Sequence, residues 1–392
     1  MQARIYFDNA ATTPMDPRVR EAVEPYLNGL WGNPSSLHQE GRVAREAVEA
    51  ARAQVAALLG AEAGEIVFTG SGTEADNMAL WGVVSAAESQ PCHVVTSAIE
   101  HPAVLECCSG LRRLGVEATL LPVSGDGIVD PADLRRAIRP DTRLVSVMAA
   151  NNVLGTLQPV AELARVARAN GILFHTDAVQ AAGKIPLDVR SLPIDLLSLS
   201  AHKLHGPKGV GALYVRKGVK LTPLLAGGGQ EKGLRSGTEN VAGIVGLGRA
   251  AEIARTEMAA EAARLVRIRD FLIESIQELI GNAYFIGHRY RRLPGHVCLG
   301  FDGMEGEAIK LLLKLDEMGI AISSGSACSA NHAGQPSHVL QAIGLNPIQA
   351  RGSLRITLGR FNTMEEARRL VEVLPAVVSS LRPMHGMVGA VS

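Results

Sequence analysis

The sequence predicts an α/β fold, with a mainly parallel sheet covered by helices and then a smaller α/β domain. From about residue 16 to residue 260, helix-like stretches alternate with short apolar strands, which is typical of parallel strands joined by helical crossovers. Polar residues of known chemical use follow several of these strands. Because open α/β sheets bind ligands at the carboxyl ends of their strands, we expect the functional site there.

The apolar pattern predicts the elements of the large domain in order. Apolar positions at helical spacing predict helices over residues 41–59 and 160–170. Short apolar runs predict buried strands, in chain order, at residues 65–68, 94–96, 144–148, 171–180 and 194–199.

A long helical stretch over residues 241–279 joins this region to a second pattern. From residue 282 onward, strands alternate with helices, the strands at 297–301 and 354–358 and the helices at 305–318 and 363–381. We therefore predict a large domain over residues 16–260 and a small α/β domain that includes residues 261–392.

Lys203 follows the last of the predicted large-domain strands, within a run of small and hydrogen-bonding residues. A lysine in this position is suited to binding an aldehyde cofactor covalently. Asp177 is delivered by the strand before it, and its carboxylate would keep a pyridine nitrogen protonated. Taken alone, Lys203 could equally be a solvated surface lysine, and Asp177 a helix cap. Together they indicate pyridoxal 5′-phosphate, which works as an electron sink only while its ring is protonated.

Residues 69–80 offer a cradle for the cofactor phosphate, because they follow a predicted strand and open an apolar helix. Small residues let backbone N–H groups approach an anion, and a helix N-terminus attracts it. The glycine spacing alone is weak evidence, since such turns are often only helix caps. The run also lacks the Gly-Lys-Ser/Thr ending of a nucleotide-triphosphate loop.

Specific motifs extend over nearly the whole chain: YFDNAATTP at 6–14, GNPSSLH at 32–38, GSGTEA at 70–75, EHPAV at 100–104, NN at 151–152, TDAVQ at 176–180, RSGTEN at 235–240, SSGSAC at 323–328 and LGRF at 358–361. In this order, the chain resembles the NifS/IscS-type cysteine desulfurases, a class V aminotransferase group of fold-type I pyridoxal-phosphate enzymes. The resemblance implies a seven-stranded type of sheet in the large domain. It also implies that residues 1–15 join the small domain.

The resemblance assigns roles around the cofactor ring. His101 would stack on the ring and assist proton transfers, for which an imidazole is suited by its near-neutral pKa. Asn152 and Gln180 would hydrogen-bond the cofactor's phenolic oxygen or the substrate. Arg355 would bind the substrate's α-carboxylate, because a guanidinium donates two parallel hydrogen bonds to a carboxylate.

The resemblance also assigns the phosphate site and an intersubunit contact. The residues that would hold the phosphate are Gly72, Thr73, Ser200 and His202. Thr238 lies in a glycine-rich segment, residues 227–238, which would otherwise be a flexible surface connection. In similar enzymes this segment crosses to a neighbouring subunit, so Thr238 would complete the partner's site in an obligatory homodimer.

Cys328 selects among enzymes that use this cofactor. Its neighbours are small and polar, unlike those of the buried thiols expected at Cys92, Cys107, Cys108 and Cys298. A thiol on a mobile loop can take a substrate sulfur as a persulfide and carry it away. The resemblance therefore implies the conversion of L-cysteine to L-alanine, with sulfur passed from Cys328 to an acceptor protein for iron–sulfur cluster assembly or nucleic-acid thiolation.

Two departures from the family pattern leave alternatives open. Val153 and Leu154 follow the asparagine pair where the family usually has a glutamate. The segment after Cys328 is one residue longer than in the housekeeping members and is similar to that of selenocysteine lyases. Selenocysteine lyase thus remains an alternative, as does an aminotransferase of the same fold, which would need no thiol at 328. A sulfur-trafficking scaffold with a degenerate site is disfavoured by the intact Lys203 and Asp177.

Composition agrees with a soluble enzyme. Lys plus Arg and Asp plus Glu both number 39, so no net charge draws the chain to nucleic acid or to a membrane surface. There is no apolar run of transmembrane length and no signal peptide at the start. The five cysteines include no C-x-x-C pair, which favours neither a disulfide framework nor a zinc module. We expect a reducing cytoplasm, which suits a free thiol.

Overall fold

The predicted alternation of strands and helices forms one large sheet with helices packed on it. The computed structural model describes residues 4–87, 91–325 and 336–381. Its strands are β1 (Ile5–Tyr6), β2 (Ile66–Thr69), β3 (Cys92–Ser97), β4 (Val116–Leu121), β5 (Thr142–Ser146), β6 (Leu173–Asp177), β7 (Leu196–Ser200), β8 (Gly211–Val215), β9 (Ala283–Phe285), β10 (His296–Phe301), β11 (Ile320–Ala321), β12 (Ser323–Ser324) and β13 (Leu354–Thr357).

The α-helices alternate with these strands along most of the chain. They are α1 (Pro17–Asn28), α2 (Gln39–Leu59), α3 (Gly72–Ser85), α4 (Pro102–Leu111), α5 (Pro131–Ala137), α6 (Val160–Ala169), α7 (Val241–Leu279), α8 (Ala308–Glu317), α9 (His338–Ala342), α10 (Pro347–Arg351) and α11 (Met364–Leu381). The predicted helices and strands are confirmed, with bounds that differ by up to a few residues.

The largest sheet has seven strands in the order β2-β8-β7-β6-β5-β3-β4. β8 runs antiparallel to both of its neighbours, whereas all other adjacent pairs are parallel. All residues of β2, β3, β7 and β8 are buried, so both faces of the sheet are covered along these strands. The mainly parallel sheet that the sequence predicted is therefore confirmed.

A second sheet lies in the C-terminal part of the chain, in the antiparallel order β12-β13-β10-β9. α8 and α11 pack on its apolar core. Part of the N-terminal segment packs here, because β1 pairs with β11 and Phe7 is part of the same core. That residues 1–15 join the small domain stays a prediction.

α7 connects the two parts. Its first half, up to Ile253, packs into the core of the large sheet, and its second half, from Leu265, packs into the core of the C-terminal sheet. The change of core falls between these residues, close to the predicted division at residue 260. The division itself stays a prediction.

Candidate active site

A cavity of about 540 Å³ lies at the carboxyl ends of β6 and β7. Small-molecule sites in proteins span about 300–1,000 Å³. Ten of the predicted site residues line this cavity: Gly72, Thr73, His101, Asn152, Asp177, Gln180, Ser200, His202, Lys203 and Arg355. We call it the cofactor cavity.

Two predicted residues stand apart from the cofactor cavity. Cys328 lies outside the described residues, so its prediction stays a prediction. Thr238 is exposed and lines a different cavity of about 130 Å³, which adjoins the first at Gly209.

Lys203 ends a single 3₁₀ turn that directly follows β7. Its Nζ donates hydrogen bonds to the carbonyl oxygen of Ala10 and, at 2.7 Å, to that of Ala11. The N-terminal segment is held there by further contacts, since Thr13 donates from its backbone N–H and its hydroxyl to the carbonyl of His202. The lysine predicted from the sequence therefore projects into the cavity against a fixed backbone.

Asp177 is the last residue of β6 and is 5% exposed. Its Oδ1 accepts a hydrogen bond from the Val179 N–H at 2.8 Å. Burial raises the pKa of Asp177, and the His101 imidazole, the hydrogen bond from Val179 and the Lys203 ammonium oppose that rise. A buried carboxylate is stabilised by a cationic partner, and a protonated pyridine nitrogen is such a partner.

His101 precedes α4 and caps it, because its Nδ1 accepts a hydrogen bond from the Ala103 N–H at 3.1 Å. An accepting Nδ1 carries no proton, so the neutral ring carries its proton on Nε2. Burial lowers the pKa of His101; Asp177 opposes this effect and Lys203 adds to it. The ring is thus a neutral donor beside the cavity at neutral pH.

The start of α3 forms the predicted phosphate cradle. Ser71 is the N-cap, and its side chain accepts a hydrogen bond from the Glu74 N–H. The first N–H groups of a helix have no acceptor within the helix, so those of Gly72 and Thr73 are suited to an anion. A Cβ on Gly72 would lie 2.7 Å from Cγ2 of Val179, so only glycine permits this close approach.

The far side of the cradle is fixed by an ion pair. Arg235 Nε lies 2.8 Å from Glu74 Oε1, and Glu74 Oε2 accepts from the Gly70 N–H at 2.9 Å. Ser200 ends β7 next to the cradle. His202 Nδ1 lies 3.1 Å from Thr12 Oγ1, and burial lowers the pKa of His202 to about 4, so its ring is neutral.

Arg355 on β13 brings the C-terminal sheet to the cavity, where its side chain is 1% exposed. Its Nη2 donates to Asp8 Oδ1 at 2.8 Å, and its Nη1 donates to the backbone carbonyl of Asn152 at 3.1 Å. Asp8 and Asn152 both line the cavity. The guanidinium is thus held in one orientation by two different segments.

Asp76 is a buried cavity residue that the sequence reasoning missed. It is 1% exposed, and its Oδ1, which lies 3.6 Å from His175 Nε2, makes no hydrogen bond within the described residues. His175 has ring nitrogens 2.8 Å from Ser146 Oγ and 3.0 Å from Ser198 Oγ, and burial lowers its pKa to about 3. The imidazole is therefore neutral and gives Asp76 no counter-charge.

Burial first, and then the negative charge of Asp177, raise the pKa of Asp76 well above its usual value. This favours a protonated Asp76 beside an ionised Asp177. The residues that open α3, 72–77, are small or polar, and acids are ordinary near the start of an exposed helix. The sequence around Asp76 therefore gave no signal of its burial.

Glu100 is a further buried acid, next to His101. Both of its carboxyl oxygens accept from the Met148 N–H at 3.0 Å, and the Ser97 hydroxyl donates to Oε1. Burial raises the pKa of Glu100 to about 8. Its side chain therefore ties the segment before α4 to the end of β5.

Val153 and Leu154, which depart from the family pattern, are 2% and 0% exposed. They belong to an apolar cluster that also includes Met148, Val339 and Leu340. Asn151 turns the chain into this cluster, because its Oδ1 accepts from the N–H groups of both residues. A glutamate here would place a charge among apolar side chains.

The donor set fits pyridoxal 5′-phosphate. Gly72 lets the start of α3 lie close to its neighbours. Asp177 supplies a buried carboxylate, and Lys203 reaches the same cavity. Lys203 would hold the aldehyde carbon, Asp177 the ring nitrogen, and the start of α3 with Ser200 the phosphate.

Known proteins are similar to this chain in sequence. Residues 5–370 match the family described as aminotransferase class V. A cysteine desulfurase IscS of Dictyoglomus turgidum is 49% identical over 382 residues, which are 97% of this chain and 96% of that protein.

Two solved structures are similar to this chain in fold. A NifS-like protein superposes with a TM-score of 0.90 at 40% identity, covering 96% of this chain and 100% of its own. A structure described as SspA in complex with cysteine gives a TM-score of 0.80 at 37% identity, covering 92% of this chain and 100% of its own.

Proposed function

This chain belongs to the cysteine desulfurases of the class V aminotransferase family, and on that premise we propose that it takes the sulfur of L-cysteine as a persulfide on Cys328. Its fold is that of the fold-type I enzymes, and its cofactor is pyridoxal 5′-phosphate. The observation that carries the proposal is the cofactor cavity, in which Lys203, Asp177 and Arg355 meet from three distant segments.

Pyridoxal phosphate, when bound, supplies an electron sink for the charge left at the substrate's α-carbon. Asp177 holds the proton on the ring nitrogen, because its buried carboxylate needs a cation. Lys203 takes the proton from the α-carbon and returns one later in the cycle. His101, with its proton on Nε2, offers a hydrogen-bond donor at the wall of the cavity.

Arg355 binds the substrate's α-carboxylate and sets its orientation. The contact of Arg355 with Asp8 fixes the guanidinium before substrate enters, so that less conformational freedom is lost on binding. The carboxylate of Asp8 also repels a substrate carboxylate that enters in another orientation.

The transfer of sulfur to Cys328 needs no external oxidant. The thiolate of Cys328 attacks the substrate sulfur and forms an S–S bond, and the carbon–sulfur bond of the substrate breaks. Its electron pair stays with the organic remnant, which takes up a proton at that carbon and leaves as L-alanine. The chain then carries a persulfide for an acceptor protein, in iron–sulfur cluster assembly or nucleic-acid thiolation.

A single labelling experiment tests the reaction, the substrate and the nucleophile. Cysteine and selenocysteine are supplied separately, and alanine and the label bound at residue 328 are measured. We expect Cys328→Ser to retain the cofactor absorbance and to lose cysteine-dependent alanine formation and persulfide. The matched control is Cys107→Ser, which removes a partly buried thiol and should leave both unchanged. Turnover of selenocysteine alone would establish the lyase alternative instead.

We also propose that the active unit is a homodimer with Thr238 acting on the partner's cofactor. Thr238 is exposed and does not line the cavity of its own chain. An open cavity of about 660 Å³ shares Thr73 and His101 with the cofactor cavity and is bordered by Leu224, which is 36% exposed. A second copy would cover this apolar edge.

Mixing two inactive variants tests this arrangement. Lys203→Ala removes the lysine of one site, and Thr238→Ala removes the contact made to the other. In a mixed dimer, one site has both residues intact, so we expect activity to return on subunit exchange. Full activity of Thr238→Ala alone, or of a monomer, would contradict the proposal.

We place this chemistry in a reducing cytoplasm. Cys107, Cys108 and Cys298 form no disulfide among the residues that the structure describes, which suits such a compartment. Among the residues that the structure describes, none of the helices has the length and apolarity needed to cross a membrane.

A further inference from the structure

A second cavity lies behind Lys203, and we call it the rear cavity. It measures about 30 Å³, and its lining includes Lys184, Lys203, Glu261 and His296. A volume of this size admits about two water molecules and neither cofactor nor substrate. Lys203 lines both the rear cavity and the cofactor cavity, so the two lie back to back.

Gln180 and Lys184 join the two cavities through one hydrogen bond. Lys184 lines the rear cavity, Gln180 lines the cofactor cavity, and Lys184 Nζ donates to Gln180 Oε1 at 3.2 Å. The turn after β6 makes this contact possible. The N–H groups of Ala182 and Ile185 bond to carbonyls four residues earlier, a spacing that puts side chains four apart on the same side.

We propose that Lys184 is a positioning residue that fixes the amide of Gln180 with its NH₂ group toward the cofactor. A lysine ammonium can only donate, so it requires Oε1 of Gln180 to face it. The Gln180 Nε2 then points the other way and donates to the Ala10 carbonyl at 2.9 Å. The amide has a second N–H, which is the donor that a cofactor oxygen would receive.

The same contact orders the surroundings of Lys203. Gln180 and Lys203 both donate to the carbonyl of Ala10, so a rotated Gln180 amide would turn its oxygen toward that carbonyl and repel it. Lys184 therefore acts on Lys203 through Gln180 and the carbonyl of Ala10, without touching the reacting atoms. This inference rests on the proposed function, in which Gln180 contacts the cofactor.

The charges around Lys184 make its donation dependent on pH. Burial, and then the positive charge of Lys203, lower the pKa of Lys184 to about 7, and Glu261 opposes them. Three other titratable side chains line the rear cavity: those of His205, His296 and Arg360. Burial lowers the pKa of His205 to about 4 and that of His296 well below its usual value, so both rings are neutral. Lys184 hence holds the amide most firmly below about pH 7.

A double-mutant cycle on the dissociation of pyridoxal phosphate from the holoenzyme tests the inference. We expect Lys184→Met and Gln180→Ala each to weaken cofactor binding about tenfold, as for loss of one charge-assisted contact. The double variant should bind no more weakly than Gln180→Ala. Lys184→Arg, which keeps a charged donor, should stay within about threefold of wild type. The control is Lys310→Met, which removes an exposed lysine paired with Glu307 and should change nothing.

Additive effects of Lys184→Met and Gln180→Ala would overturn the inference, because Lys184 would then act independently of the amide. Should Lys184→Met fail to fold, cofactor affinity is followed across pH 7 in the wild type and in Gln180→Ala. We expect a loss of affinity above pH 7 in the wild type alone, and equal profiles would overturn the inference. Cysteine is absent from these measurements. A wild type that does not bind pyridoxal phosphate would refute the proposed function, whereas additive variants refute only the role of Lys184.

Discussion

The cofactor cavity and the rear cavity share Lys203 but are built from different kinds of residue. The cofactor cavity is formed by strand ends and by the first turn of α3, where polar residues stand out against apolar neighbours. The rear cavity is formed by a turn, the middle of α7 and the start of β10. Its polar residues include Asn9 and Arg360, which belong to two of the sequence motifs, whereas Lys184, Glu261 and His296 belong to none of them.

This difference separates the residues that act on the reacting groups from the residues that orient them. Residues that touch the reacting groups are placed by the sheet, since parallel strands deliver their carboxyl ends to one edge. Lys184, which orients Gln180, is placed by the turn after β6 and lines its cavity together with residues of α7 and β10. We expect the largest losses of function from changes at Lys203 and Asp177, and we expect changes behind the cofactor cavity to modify affinity and pH dependence.

The largest effect is expected at the residue that belongs to both cavities. Lys203→Ala should lower kcat/KM by about 10²–10⁴-fold or more, because it removes the proton-transfer group. It should also remove the cofactor absorbance that depends on the lysine. Alanine formation and the absorbance spectrum measure the two effects. Lys310→Ala, an exposed change, is the control, and an active Lys203→Ala enzyme would contradict the site.

The two buried acids of the cofactor cavity should respond very differently to the same change. Asp177→Asn should lower kcat at least about tenfold, or about 1.4 kcal/mol, because the ring nitrogen loses its anionic partner. Asp76→Asn replaces a carboxyl that the structure favours as protonated, so kcat should stay within about threefold. Steady-state rates measure both, and an equal loss in the two variants would show that Asp76 is ionised.

Arg355→Lys should raise KM more than it lowers kcat. A lysine keeps the charge but loses the paired N–H donors, and hydrogen bonds to charged groups contribute about 1.5–3 kcal/mol. KM for cysteine should therefore rise roughly 10- to 100-fold. Asp8→Asn, which leaves Arg355 in place but removes its ion pair, should give a smaller change. A drop in kcat at unchanged KM would argue against carboxylate binding.

At Glu100 the expected effect is on the free energy of unfolding and its dependence on pH. Its pKa is about 8 in the fold against an ordinary value of 4.5, so between these pH values the folded chain holds a proton that the unfolded chain has lost. The free energy of unfolding should fall as pH rises, by up to about 1.4 kcal/mol per pH unit. Glu100→Gln, neutral throughout, should flatten this slope in urea unfolding, whereas Glu317→Gln, an exposed change, should not. An unchanged slope would show that Glu100 stays ionised.

Much of the fold and the site could be predicted before the structure. The length of α7 and the strands that end at Asp177 and Ser200 follow from apolar spacing. The motifs identified ten residues that the structure brings to one cavity. Asp76 was missed because its sequence neighbours at the start of α3 are small or polar, and only the neighbouring strands bury it. Lys184 was missed for a similar reason, since nothing in a turn marks a lysine that faces inward.

The sequence by itself determined the residue types that the chemistry needs and the strand ends on which they stand, because periodicity and composition are local properties of a chain. The tertiary structure alone decided which of those groups are charged. Burial and the proximity of other charges set a pKa, and both depend on segments far apart along the chain. The pairing of Arg355 with Asp8 and the link from Lys184 to Gln180 and Ala10 are therefore visible only in the folded molecule.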